Sequence, residues 1–131
     1  MVTGTVNERA VRWDYPHAWL VRFTFDGDLI WSREWGMENR RAALPTALSV
    51  ASWGATYVVG QVYERDRGPN LFVRKFAPQG RLLWTSTIDR RDQTVFTDDV
   101  TALPKGAYVA GYAFRNASWR EVGAWIWRFA A

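Results

Sequence analysis

The sequence predicts an all-β protein of ten strands, laid out as about two and a half tandem repeats. Three observations lead there. The stretch WLVRFTFDGDLIW at 19–31 returns as FVRKFAPQGRLLW at 72–84, an ungapped offset of 53 residues. In it Trp19 matches Phe72, Arg22 matches Lys75, Phe23 matches Phe76, Gly27 matches Gly80 and Trp31 matches Trp84, and a third copy opens as WIWRF at 125–129. Short segments that alternate apolar and polar residues between Gly, Pro, Asp or Asn are strands. Finally, nine Trp, five Tyr and seven Phe in 131 residues are the aromatic load that pleated surfaces favour.

Four segments recur in order. The first is a Val-x-Gly strand: Val2-Thr-Gly4-Thr-Val6, Val58-Val-Gly60-Gln-Val62 and Val109-Ala-Gly111-Tyr-Ala113. The second is the aromatic strand at 19–23, 72–76 and 125–129. There Trp19, Phe72 and Trp125 share one face with Phe23, Phe76 and Phe129, while Leu20, Val73 and Ile126 face the other way. Apolar residues on both faces predict a sheet held between two neighbours. The third segment follows a tight Gly turn, as LIWSREW at 29–35 and LLWTSTI at 82–88; the fourth is TALSVAS at 46–52 and DVTALP at 99–104. The one helix candidate, residues 36–44, is short and Arg-rich and reads as loop. The chain is thus a single β-repeat domain over 1–131: a partial repeat at 1–35, a full repeat at 46–88 and a partial repeat at 99–131.

A tandem four-stranded unit of this length, with a Gly turn between its last two strands, resembles bacterial β-propeller repeat proteins. The motif is G-x-Y/V-V-x-G … F-V-x-K/R-F-x-x-x-G-x-L-L-W. Here it stands as YVVGQV … LFVRKFAPQGRLLW and, more loosely, as VTGTV … AWLVRFTFDGDLIW. The resemblance spans nearly the whole chain and implies β-propeller-type blades; a function taken from it is analogy. It also implies that TALSVAS is the innermost strand of its blade, so the ten strands fall as three, four and three. Propellers typically close with four to eight four-stranded blades, so edges and one apolar face would stand open at each end. Completion by oligomerisation satisfies them, with a dimer of the chain favoured and two copies forming a five- or six-bladed ring. The alternatives are a fragment of a longer propeller and closure of the ten strands as a barrel or sandwich.

Composition narrows the function classes. The chain is 48% hydrophobic and 23% charged, which is globular. It has no Cys, which excludes disulfides and thiolate chemistry and leaves the compartment open. No apolar run approaches the length of a membrane span. MVTGTVNERA has neither the basic nor the apolar region of a signal peptide, so no leader is expected in it and localisation stays unassigned; the resemblance allows a secreted or cell-surface site. The formal charge is +4, and fifteen of the seventeen basic residues are Arg.

Strand order sends the loops 7–17, 36–45, 63–70, 89–98 and 114–123 to one face, and long loops on a rigid scaffold are where binding is expected. They hold ten Arg against nine acidic residues, whereas a nucleic-acid face needs a large basic excess. Mixed charge suits a protein partner. Trp13 and Trp119 stand outside the repeated pattern beside Arg and acidic neighbours, as interface anchors do; alternatively they stack on a sugar ring, or fold back as caps over the core. The candidate partner-binding residues are Arg12, Trp13, Tyr15, Arg65, Arg67, Arg90, Arg91, Trp119 and Arg120. Asn116-Ala-Ser118 also matches a glycosylation acceptor.

Catalytic constellations are thin. His17 is the only His, which with no Cys cannot build a His-rich or thiolate metal centre. No nucleophile elbow or Gly-rich phosphate loop is present. Asp26 and Asp28 around Gly27 evoke a calcium loop, but the matching turn is Pro78-Gln79-Gly80-Arg81, so a hairpin turn is the better reading. Asp98-Asp99 is the remaining carboxylate pair, read by default as a solvated loop pair. No catalytic residue, cofactor or metal is assigned; the expectation is a non-catalytic binding and assembly module with a carbohydrate-binding propeller as the alternative.

Overall fold

The computed structural model describes residues 2–6, 17–36, 42–64, 67–89, 93–115 and 118–130, and every regular element among them is a strand. The strands are β1 (Val2–Val6), β2 (His17–Phe23), β3 (Leu29–Trp35), β4 (Ala42–Val50), β5 (Thr56–Glu64), β6 (Arg67–Phe76), β7 (Leu82–Ile88), β8 (Gln93–Leu103), β9 (Gly106–Arg115) and β10 (Ser118–Ala130). They form three antiparallel sheets, β1-β2-β3, β4-β5-β6-β7 and β8-β9-β10. No described residue is helical, so no helix is long and apolar enough to cross a membrane.

Three hairpins share one turn. Thr24, Ala51 and Ala77 each receive a bond from the glycine three residues on, Gly27, Gly54 and Gly80, and donate to Asp28, Ala55 and Arg81. Each glycine has positive φ, +94°, +91° and +82°, a region closed to most side chains. FDGD is therefore a hairpin turn, with the Asp28 amide also donating to Thr24 Oγ1 at 2.9 Å.

The four-stranded sheet lies between the other two. On one face its Val58, Val62, Phe72 and Phe76 join Ala18, Leu20, Trp31 and Trp35 of the first sheet. On the other, Tyr57, Val59, Leu71 and Val73 join Val95, Val100, Ala107 and Val109 of the third, with Trp125, Trp127 and Phe129 packed alongside. Strand alternation makes this possible: β5 and β6 send odd and even residues to different cores. Burying each such side chain contributes roughly 1.5–3 kcal/mol.

Two β-bulges shape the edge strands β4 and β8. Pairing slips at Pro45/Ala47 in β4 and at Thr97/Asp99 in β8. Opposite them stand the glycines of the Val-x-Gly strand, since Gly60 pairs with Pro45 and Gly111 with Thr97. A Cβ at Gly60 would collide with the carbonyl of Leu44, and one at Gly111 with that of Phe96. The bulges correct two loop assignments. Residues 42–45 and 93–98, read as loop, are strand, because an extra residue breaks the two-residue alternation and Pro45 is tolerated at a bulge.

Segments 63–70 and 114–123 also differ from the long loops expected. Strand pairing runs to Glu64 opposite Arg67 and to Arg115 opposite Ser118. Both hairpin ends carry a register shift, at Val62/Glu64 and at Ser118/Val122, which again hides the alternation. The loops 7–16, 37–41 and 90–92 lie outside the described residues.

Candidate functional site

Two open grooves mark the described surface. The larger of the two, about 470 Å³, runs between β3 of the first sheet and β6 with its following turn in the middle sheet, and is lined by Arg33, Glu34, Trp35, Arg74, Phe76, Gly80, Arg81 and Leu82. Alternation along β3 sends Trp31, Arg33 and Trp35 toward the middle sheet, where Trp31 and Arg33 meet its 77–81 turn. Arg22 Nη1 donates to Pro78 O at 2.7 Å, and Trp31 Nε1 to the same oxygen at 3.0 Å. Arg33 donates through Nε to Gly80 O at 2.7 Å and through Nη2 to Gln79 O at 3.4 Å. Its guanidinium also stands 5.6 Å from the Trp31 ring centroid. Gly80 serves this contact twice, by its positive φ and because a Cβ would lie 2.7 Å from the Trp31 ring.

Deeper in the groove, Arg74 stacks over Trp35 at 5.1 Å, and Trp35 meets Phe76 at 5.4 Å between centroids. Burial draws the Arg74 guanidinium below its ordinary pKa, while the group stays cationic at neutral pH. Glu34, the one acid in the lining, is taken by His17 Nδ1 at 3.3 Å. The groove is thus cationic with aromatic walls, and its lining contains no Ser, His or Cys. Such a surface receives acidic or aromatic groups.

The second groove, about 310 Å³, lies on the outer face of the third sheet between Asp99, Val100, Thr101, Tyr108, Ala110 and Ile126. Beyond it Phe96, Tyr112 and Phe114 form an aromatic cluster with centroids 5.2–6.1 Å apart. Tyr63 sits close enough that burial first, and Tyr112 second, raise its hydroxyl pKa.

Of the residues singled out from sequence, Arg12, Trp13, Tyr15, Arg65, Arg90 and Arg91 lie outside the described residues. Arg67 belongs to β6, and Trp119 and Arg120 to β10, so these three extend strands rather than loops. Asn116 and Ala117 lie outside the described residues, and Ser118 opens β10. Asp98 and Asp99 are exposed at the β8 bulge, where Asp99 Oδ1 accepts the Val100 amide at 2.8 Å. Among the described residues no group of three or more His, Asp or Glu stands ready to hold a metal ion.

Sequence reasoning passed over the cations inside the sheets. Lys75 is buried with its ammonium 4.9 Å from the Trp53 ring and 5.3 Å from that of Tyr57. Its signal was the basic residue shared by Arg22 and Lys75, which was read only as repeat. A buried polar network escaped too. Thr46 Oγ1 donates to Gln61 Oε1 at 2.9 Å, and Gln61 Nε2 donates to Thr97 O and Oγ1, each at 3.2 Å, tying the two bulges together.

No protein-family model matches the chain, and no curated protein matches its sequence.

Proposed function

We propose that the chain is a non-catalytic binding and assembly module, a β-propeller-type scaffold that presents its Arg- and Trp-bearing strand ends and loops to a protein partner. The observation that carries this reading is a four-stranded sheet sealed on both faces by neighbouring sheets, the packing that successive propeller blades use. The use made of the reactive side chains agrees with it. His17 engages Glu34, Asp99 its neighbouring amide, Ser49 Oγ the Ala102 amide, and Thr97 and Gln61 each other. Each supports the scaffold.

A cationic, aromatic-walled groove favours a partner surface with acidic and aromatic groups. Affinity capture compares the wild type with Trp119→Ala and Arg81→Glu at matched thermal stability. Proteins retained by the wild type and lost by either variant support the module. A glycan array that retains the wild type through Trp119 assigns carbohydrate binding instead.

A further inference from the structure

Each sheet of this chain has two unlike faces, and the sequence repeat shows which is which. The middle sheet turns Val58, Phe72 and Phe76 toward the first sheet. The matching residues of the third sheet, Val109, Trp125 and Phe129, are the ones it turns toward the middle sheet. In the opposite sense, the middle sheet offers Tyr57, Val73 and Trp84 to the third, and the first sheet offers Leu20 and Trp31, the matches of Val73 and Trp84, to the middle one. The same contact is therefore made twice within the chain.

One half of that contact remains at each end. The outer face of the third sheet carries Tyr108 and Ile126, the matches of Tyr57 and Val73. They are 44% and 71% exposed, where their matches are fully buried. The outer face of the first sheet carries Phe23, the match of Phe76 and Phe129, and it is 41% exposed against 2% for Phe76. Phe25, in the turn at the end of that face, is fully exposed.

The contact between the first and middle sheets also includes a polar bond. Arg22 of the first sheet bonds Pro78 O in the middle sheet. The match of Arg22 in the third sheet is Arg128, exposed beside Tyr108, and the match of Pro78 in the first is Phe25.

We propose that the outer face of the third sheet docks on the outer face of the first sheet of a second copy of this chain, head to tail. This rests on the assembly reading above and names its partner and its two surfaces. Ile126 and Tyr108 pack against Phe23 of the second copy, and the Arg128 guanidinium donates to the carbonyl of its Phe25. A heterologous contact of this kind closes as a ring or extends as a chain, and it covers the exposed apolar residues at both ends.

The test is sedimentation equilibrium on the full chain across a tenfold concentration range. The wild type associates. Ile126→Glu and Phe23→Glu each lose association by at least about tenfold, while melting as the wild type does when diluted to monomer, since both side chains are exposed in the single chain. Mixing the two variants restores a heterodimer, since each keeps the face the other has lost. Arg128→Ala, which disturbs no apolar packing, weakens association by a smaller factor. A monomeric wild type overturns the proposal, as does either Glu variant associating normally or a mixture that stays monomeric. A monomer that still captures a partner through Trp119 overturns self-docking and leaves the binding reading standing.

Discussion

Gly60 lies against the backbone carbonyl of Leu44, at a separation that leaves no room for a methyl group. The bulge at Pro45/Ala47 drives that carbonyl into β5, and Gly111 meets Phe96 in the same way. The glycine of the Val-x-Gly strand is thus set by its neighbour's bulge, not by its own backbone angles.

Gly60→Ala and Gly111→Ala are expected to destabilise by about 3 kcal/mol, the upper range for overpacking, because the obstacle is backbone and cannot rotate away. Gly123→Ala, where a Cβ meets nothing within 4 Å, stays within about 0.5 kcal/mol of the wild type. Urea denaturation of the three variants checks the ordering.

Much of this architecture was legible before the structure. The hairpin glycines Gly27 and Gly80 stood out because a turn residue with positive φ recurs at a fixed offset. The split of β6 between two cores followed from Phe72 and Phe76 alternating with Val73. Half of β4 and half of β8 were hidden, because a bulge shifts the phase of the alternation on which strand recognition depends. The groove between β3 and β6 was hidden for another reason. Arg22, Arg33 and Arg74 acquire their roles only when strands distant in sequence come into register across two sheets.

Trp31 and Trp35 are both buried, but they differ in one bond. Trp31 Nε1 donates to Pro78 O, whereas Trp35 Nε1 is buried with no hydrogen-bond partner among the described residues. Trp31→Phe is expected to lose about 1 kcal/mol more than Trp35→Phe from that bond. Paired thermal melts of the two variants read the difference.

The Gln61 network is expected to couple. Gln61→Leu removes a partner from both threonines, leaving the buried Thr97 hydroxyl only its 3.4 Å bond to Thr46 Oγ1, and costs about 1–3 kcal/mol. Adding Thr97→Val costs less than the sum of the two single changes, since the second removes a group that has already lost its bond from Gln61. A double-mutant cycle measures the coupling, and strict additivity would mean that the network bears no load.

Alkaline pH tests the Tyr63 environment. Its folded pKa is raised, so the folded state holds the phenol proton more tightly than the unfolded chain. That contribution is fully present below the ordinary tyrosine value of 10.0 and is lost as pH rises through the folded value. Stability should fall more steeply above pH 10 in the wild type than in Tyr63→Phe. Parallel curves for the two proteins would remove Tyr63 as the cause.

β5 pairs with β4 on one side and β6 on the other, and a further sheet covers each of its faces. Water reaches the amides of Val58 and Val59 only when two independent layers have lifted away. Their exchange with deuterium therefore times the opening of the whole stack, while the amides along the exposed edge of β7 report no more than local fraying.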